Sequence, residues 1–395
     1  MSPQTETAIQ PILAVAMRLV AADGLRGLSL RPLAEKLGTT VSALSYRFGL
    51  KDTLMASLID AACTEDGLFL DRWLTRIQAL GVRDAVLMAD LADAILNDMS
   101  GPEVLRNRFY CELLQGGASR PEIAAPLAAW RGQRLAFWRA ATETLGRAEL
   151  GDILHAFSTD EVAHGLVIGD LAAYRWLRRL NLRRLCCGLV PPRGSGDLRE
   201  FSVFHAALAD LMDGPGRYRA PAMSAWQAEA ARHISALIVA GGADAVTHRA
   251  VAARADVANS TLAYHFPRQE DLLKAGIDHI IIRTQARVDD RDTSAHDYDM
   301  SSVEVARSTF AIALVAARMP NLKAFAADMR RRRGENYLLR LNREAGDSRF
   351  DLLSAQAVAI TGIGQMILDA ALDSSSAADA MRLIERLQAT AFSDT

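Results

Sequence analysis

Apolar positions recur with the period of an α-helix along most of the chain. Ile12, Val15, Ala16, Leu19 and Val20 mark one face of a helix predicted over 7–22, and Asp23-Gly24 ends it. Ser29 stands at a cap position, Pro32 lies in the first turn, and Leu30, Leu33, Ala34 and Leu37 line the inner face of a second helix. Gly38 supplies a tight turn before a third helix over 41–48. Gly49 to Asp52 then leads into a long fourth helix carrying Leu54, Leu58 and Ile59. The same order returns later. A helix over 224–239 ends at Gly241-Gly242, Thr247 takes the cap position, and Val251, Ala252 and Ala255 face inward. Asp256 stands at the turn, Asp being one of the few non-glycine residues that enter the left-handed region. Pro267 and Arg268 precede a helix with Leu272, Leu273 and Ile277 on one face.

These two stretches align without a gap. Gly24 falls on Gly242, Arg31 on Arg249, Ala34 on Ala252, Ser42 on Ser260, Leu44 on Leu262 and Tyr46 on Tyr264, each pair 218 positions apart, as Phe266 is from Phe48. Two helices joined by a tight turn, the second short and polar on one side, form the pattern of a helix-turn-helix DNA reader. The repeat continues weakly: Pro121 matches Pro320, Ile123 matches Leu322, and both following helices end basic. Two apolar helices are then expected in each half, over 160–185 and 198–212 and over 350–372 and 377–392, split by Pro191 to Gly196 and by Asp373 to Ser376. Asp213 to Pro221 is rich in Gly and Pro and reads as a linker, and 289–302 as a polar loop. The chain therefore divides into a first reading domain (1–55), a first helical domain (56–213), a linker (214–222), a second reading domain (223–273) and a second helical domain (274–395). The expected fold class is all-α, in two tandem units.

With 395 residues the chain exceeds one compact domain. Apolar residues make up 50% and the formal net charge is −2, so any contact with nucleic acid must come from local patches rather than from a basic chain. No uninterrupted apolar run reaches the ~18 residues of a membrane span, and Met1 to Glu6 lacks the order of a signal peptide. Cys63, Cys111, Cys186 and Cys187 have no metal-ligand spacing and read as reduced thiols of a cytoplasmic protein. There is no nucleophile elbow, phosphate-binding glycine loop or zinc-binding His-Glu pair, so neither an enzyme nor a cofactor is expected.

The strings L-x-Y-R-F-x-x-K-D-x-L, beginning at Leu44, and T-L-A-Y-H-F-P-R-Q-E-D-L-L, beginning at Thr261, carry a family resemblance: each half resembles a TetR-family transcriptional regulator. The resemblance is specific over 12–58 and 230–273 and elsewhere rests on length and helical pattern. It implies that the first three helices of each half bind double-stranded DNA. It also implies that the later helices form a pocket for a small-molecule effector, and that the last two of each half build a four-helix bundle, here inside one chain as a pseudo-dimer. The family's aromatic residue before the Tyr is replaced by Ser45 and Ala263. Its His is kept as His265 but is Arg47 in the first half. Its Lys is kept as Lys51 but is Gln269 in the second, beside Arg268.

DNA reading requires small or polar residues toward the groove and donors toward phosphates. In the first half, Thr39, Thr40, Val41, Ser42 and Ala43 open the reading helix, and Tyr46, Arg47 and Lys51 are the expected phosphate contacts. In the second, Asn259, Ser260 and Thr261 are the readers, with Asn suited to adenine, and Tyr264, His265 and Arg268 hold the backbone. Arg31, Arg249 and Thr247 lie at the start of the helix that crosses the backbone. The competing structural reading makes both tyrosines core aromatics. Because Thr40-Val41-Ser42-Ala43 faces Ala258-Asn259-Ser260-Thr261, the two half-sites are expected to differ. For the effector, Phe109, Tyr110, Trp130, Phe137, Trp138, His164 and Tyr174 make the first half the expected seat, with core filling as the other reading. Arg330 to Arg333 reads as a solvated helix end, with an anionic effector or DNA as other partners its charge would suit.

Overall fold

The computed structural model describes residues 3–117, 121–147, 149–190, 196–211, 222–289, 302–335, 337–346 and 348–371. The helix expected over 377–392, the break at 373–376 and nearly all of the linker lie outside them, as do 191–195 and the interior of the 289–302 loop. The described residues form eighteen α-helices and no strand. The first reading head is α1 (Pro3–Asp23), α2 (Leu30–Lys36) and α3 (Val41–Phe48). α4 (Lys51–Leu80), α5 (Ala85–Ser100), α6 (Val104–Gly116), α7 (Pro121–Thr142), α8 (Leu150–Ile168), α9 (Ala172–Cys187) and α10 (Asp197–Ala209) follow. The second head is α11 (Ala225–Gly241), α12 (His248–Ala255) and α13 (Asn259–His265). It continues into α14 (Gln269–Asp289), α15 (Ser302–Ala316), α16 (Lys323–Arg331), α17 (Leu338–Ala345) and α18 (Leu352–Ala370).

The repeat is visible in the backbone. α4 and α14 begin at matching positions, and α8 and α18 are each 19 residues long. Pro121 opens α7, and Pro320 opens a short 3-10 turn before α16. Gly38 and Asp256 both adopt a left-handed backbone, with φ of 64° and 52°. Sequence periodicity runs one helix through 160–185. The structure instead breaks it at Gly169-Asp170-Leu171 into α8 and α9, where the Gly169 amide bonds to the Gly165 carbonyl and the Leu171 amide to the Ile168 carbonyl. Gly169-Asp170 is the breaker pair that the apolar pattern concealed.

The centre of the molecule is where α8 lies on α18. Every residue of α8 except Asp152 and Leu166 is buried, although the helix carries His155, Asp160, Glu161 and His164. α18 is long and apolar enough by composition to cross a membrane, but most of it is buried inside the protein. The two backbones meet at Gly364. A Cβ there would lie 1.8 Å from the carbonyl oxygen of Ala156, so only glycine permits this approach.

Charged groups brace the same contact. Arg330 on α16 donates from Nε to Glu161 on α8 at 2.7 Å, and Tyr174 donates to the Glu161 carboxylate at 2.7 Å. Arg333 lies 3.4 Å from Asp160. Arg330 and Arg333 are buried, so the expected solvated helix end is corrected: two of its arginines point inward and neutralise carboxylates of the other half. They do so because α8 has no cation of its own to pair them, and a buried charge must find one. Asn181 donates to Gln356 at 2.8 Å, Arg184 to Asp351 at 3.0 Å, and Arg131 to the Leu368 carbonyl at 2.9 Å. The two apolar cores do not follow the halves of the sequence: Val167, Ile168, Tyr174 and Leu177 belong with α11 to α16.

Gly364→Ala is expected to destabilise the protein by at least the ~1–3 kcal/mol usual for an overpacked core, because the obstacle is backbone. Urea denaturation of wild type and variant checks this, and an unchanged midpoint would show that α8 and α18 can separate freely.

Candidate nucleic-acid interface

Each head is a three-helix unit whose small core fixes the direction of the reading helix. In the first, Leu33, Ala34, Leu44 and Phe48 are buried; in the second, Val251, Ala252, Leu262 and Phe266 are. With the leucine and the phenylalanine four residues apart pointing inward, the residue two after the leucine must point outward on a helix of 3.6 residues per turn. Tyr46 is 95% exposed and Tyr264 82% exposed. These exposures exclude the core-aromatic reading for both.

The remaining candidates cluster on the same outer surface. Thr39, Thr40, Val41, Ser42, Ala43, Arg47 and Lys51 are exposed, as is Arg31 on α2. In the second head Thr247, Arg249, Asn259, Ser260, Thr261 and Arg268 are exposed and His265 is half-buried. Two of them have a structural use as well. Thr40 Oγ1 accepts the Ala43 amide at 3.1 Å and caps α3, and Thr247 Oγ1 accepts the Ala250 amide at 3.0 Å and caps α12. Ser29 occupies the equivalent cap position with no side-chain bond. Ser224 caps α11 in a reciprocal box with Gln227.

The structure adds residues that sequence reasoning missed. Trp226 on α11 lies against the His265 ring, with centroids 4.3 Å apart, and so holds that imidazole at the edge of the reading helix. In the first half Ala8 stands at that position, and Arg47 rests over the Phe48 ring instead, 5.3 Å from its centroid. Gln269, at the family's Lys position, donates to the Val246 carbonyl, which leaves Arg268 as the exposed cation beside it. Trp226 lies 39 residues before His265 in the sequence, so local spacing offers no sign of that pairing.

The heads also meet each other. The Arg26 amide donates to Asp244 Oδ2 at 2.7 Å, and these two residues occupy the same position of the repeat. Below this contact the Gln115 side chain donates to the Ile238 carbonyl at 3.2 Å. Arg307 on α15 donates to the Val239 and Ala240 carbonyls, at 2.6 and 2.8 Å, and to the Gln115 carbonyl at 2.8 Å. In the reciprocal position Arg108 on α6 donates to the Ala317 carbonyl at 3.2 Å. Arg318 lies 3.2 Å from Glu112, whose carboxyl burial nonetheless pushes up to about 7.

The expected effector residues fall into separate groups. Phe109 and Tyr110 pack on Trp130 with centroids 6.2 and 5.0 Å away, under the Arg134 guanidinium. Trp130 donates to Asp66 at 2.7 Å, and Arg134 donates to the same carboxylate at 2.7 Å. Phe137 packs on Trp138. His164 and Tyr174 are not with them but beside Asp160 and Glu161, where the halves meet. All seven are buried.

Against known proteins, residues 12–58 and 233–275 each match the family described as bacterial regulatory proteins, tetR family. A search of the curated proteins found no match.

His155 is buried on α8, and burial, followed by the nearby Arg131, Arg134 and Arg139, pushes its imidazole down to about 3. A depressed folded value means that its stabilising neutral form is fully retained above the ordinary 6.5, and that this stability is lost as pH falls from there toward 3. His155→Leu is expected to reduce the loss of stability between pH 6.5 and 4, by up to roughly 1.4 kcal/mol per pH unit. Denaturation midpoints across that range test it, and parallel curves for the two proteins would refute it.

Proposed function

We propose that this chain, a tandem of two tetR-family units, is a sequence-specific DNA-binding transcriptional regulator that works as a covalent pseudo-dimer. The observation that carries the reading is the matched outward presentation of Tyr46 and Tyr264, each set by a buried leucine and phenylalanine on a short capped or flanked reading helix. Those tyrosines, with Arg47 and Lys51 in one head and His265 and Arg268 in the other, suit phosphate contacts. The first turns of α3 and α13 suit base edges, because a helix-turn-helix protein reads with the N-terminal residues of its second helix. Contact between the heads at equivalent positions, Arg26 and Asp244, supports a pairwise arrangement about a common axis.

The exposed readers differ between the heads. Thr39, Val41, Ser42 and Ala43 present hydroxyls and methyl groups, whereas Asn259, Ser260 and Thr261 present an amide suited to adenine. The operator is accordingly two unlike half-sites. Repression is the proposed output, in the cytoplasm, under control of a small-molecule effector acting through the helical bodies. Phe109, Tyr110, Trp130, Phe137 and Trp138 remain the proposed apolar lining for it in the first body, with His164 and Tyr174 apart from them where the halves meet. An effector acts by favouring a head separation that fits or misses successive major grooves.

The test is selection from a random-sequence DNA library, followed by mobility shifts with Tyr46→Ala and Tyr264→Ala. Each variant is expected to keep its stability within about 0.5 kcal/mol, since both side chains are exposed, and to lose most specific affinity. Binding is expected to fall steeply with salt. Palindromes built from either half-site are expected to bind more weakly than the selected operator; equal binding would contradict unlike half-sites. Loss in only one variant would make the other head a scaffold, and no selected sequence at all would favour a protein-interaction module.

A further inference from the structure

The two reading heads meet at equivalent positions of the repeat, where the residues are opposite in charge: Arg26 in the first and Asp244 in the second. Each stands in the short 3-10 turn that leads from the first helix of its head toward the reading helix, Leu25–Gly27 and Ala243–Ala245. In the first head the Gly27 and Leu28 amides bond to the Gly24 and Leu25 carbonyls, whereas the Arg26 amide comes too early to find an acceptor inside its own turn. It donates instead to Asp244 Oδ2 at 2.7 Å, so a carboxylate of one head completes the backbone of the other.

The first head has room for that carboxylate. Gly24 adopts φ of 73°, and a Cβ there would lie 2.6 Å from Asp244 Oδ1. The Arg318 guanidinium, reaching over from just beyond α15, also lies against this glycine and stands 3.2 Å from Glu112 on α6. Gly242, the counterpart in the second head, has the same backbone with φ of 74°, but there the Gln115 side chain lies over it. The contact thus runs one way: the second head brings the carboxylate, the first the amide and the space. A pair of identical heads would bring two aspartates or two arginines together at this position, which like charge disfavours.

We propose that Asp244 is a latch that holds the two heads at one separation, and so fixes the number of base pairs between the half-sites the chain accepts. The consequence for spacing rests on the DNA-reading function proposed above; the latch itself does not. One base pair added between the half-sites moves one of them by about 3.4 Å and turns it by roughly 34° about the DNA axis. A hydrogen bond of 2.7 Å is lost before such a displacement is complete. A head that follows its half-site to another spacing must therefore give up the Arg26–Asp244 bond, and the spacing that matches the latched heads is favoured by the strength of that bond.

Two measurements on the full chain test this. Hydrogen exchange at the Arg26 amide, without DNA, reads the latch: Asp244→Ala is expected to speed it about fivefold or more, and Asp244→Asn, which keeps an acceptor, by less. Binding to the selected operator, and to versions with base pairs added or removed between the half-sites, reads the consequence. Wild type is expected to prefer a single spacing, and Asp244→Ala to reduce that preference about fivefold while selecting the same half-site sequences. Circular dichroism confirms that each variant is folded. Unchanged Arg26 exchange in folded Asp244→Ala would overturn the latch. Faster exchange with an undiminished spacing preference would overturn its role and leave spacing to the helical bodies, as would a wild type indifferent to spacing. Faster exchange in a protein that selects no DNA sequence would uphold the latch and remove only its consequence for spacing.

Discussion

The structure depends on the close approach of α8 and α18. Dispersion and apolar burial favour the contact, but the backbones come together only because position 364 lacks a side chain. That approach removes the flanks of α8 from water, and with them Asp160 and Glu161. Burying two carboxylates is unfavourable by several kcal/mol each unless cations come with them. Arg330 and Arg333 are those cations, and both arrive from the other half of the chain. The packing and the ion pairs are therefore one constraint: the helices cannot come so close without the arginines, and the arginines have no reason to be buried without the carboxylates.

The same constraint fixes where the heads stand. α6 and α15 pack against α8, and each carries an arginine to the carboxyl end of the other: Arg108 reaches Ala317 and Arg307 reaches Gln115. The last carbonyls of a helix have no partner within it and carry the negative end of its dipole, so a guanidinium is well suited to hold them. Arg307 extends the arrangement to the end of α11, and so to the second head. Head position is thus set by hydrogen bonds to helix ends together with the apolar cores that run from each head into its body. Such a junction is directional and can be altered by a local change in charge or contact.

What the sequence disclosed follows from what local pattern can encode. The two heads were legible because their core and outer positions recur at helical spacing twice over, 218 residues apart. Thr247 and the left-handed Asp256 were legible because caps and turns are local chemistry. The split between α8 and α9 was hidden, since apolar residues continue on both sides of Gly169-Asp170. The fate of Arg330 and Arg333 was hidden for another reason: a basic run has the same appearance whether it meets water or a buried carboxylate 169 residues away. Trp226 on His265 and the Arg307 clamp likewise join positions distant in the chain, which one sequence does not connect.

Covalent linkage explains why the halves could diverge in this way. In a homodimer every substitution is made twice, so a glycine that lets one helix approach must also appear on the partner helix. Here Gly364 faces Ala156, and the arginines that neutralise α8 need no counterpart on the helix that faces it. The reading helices obey the same logic: Asn259 in one head has Val41 at its place in the other, with neither bound to serve both half-sites. The asymmetry extends to the roots of the heads, where Arg283 in one half stands in place of Glu65 in the other. A fused chain can thus give its two heads different partners above and different environments below, while the α8–α18 contact holds the two halves together.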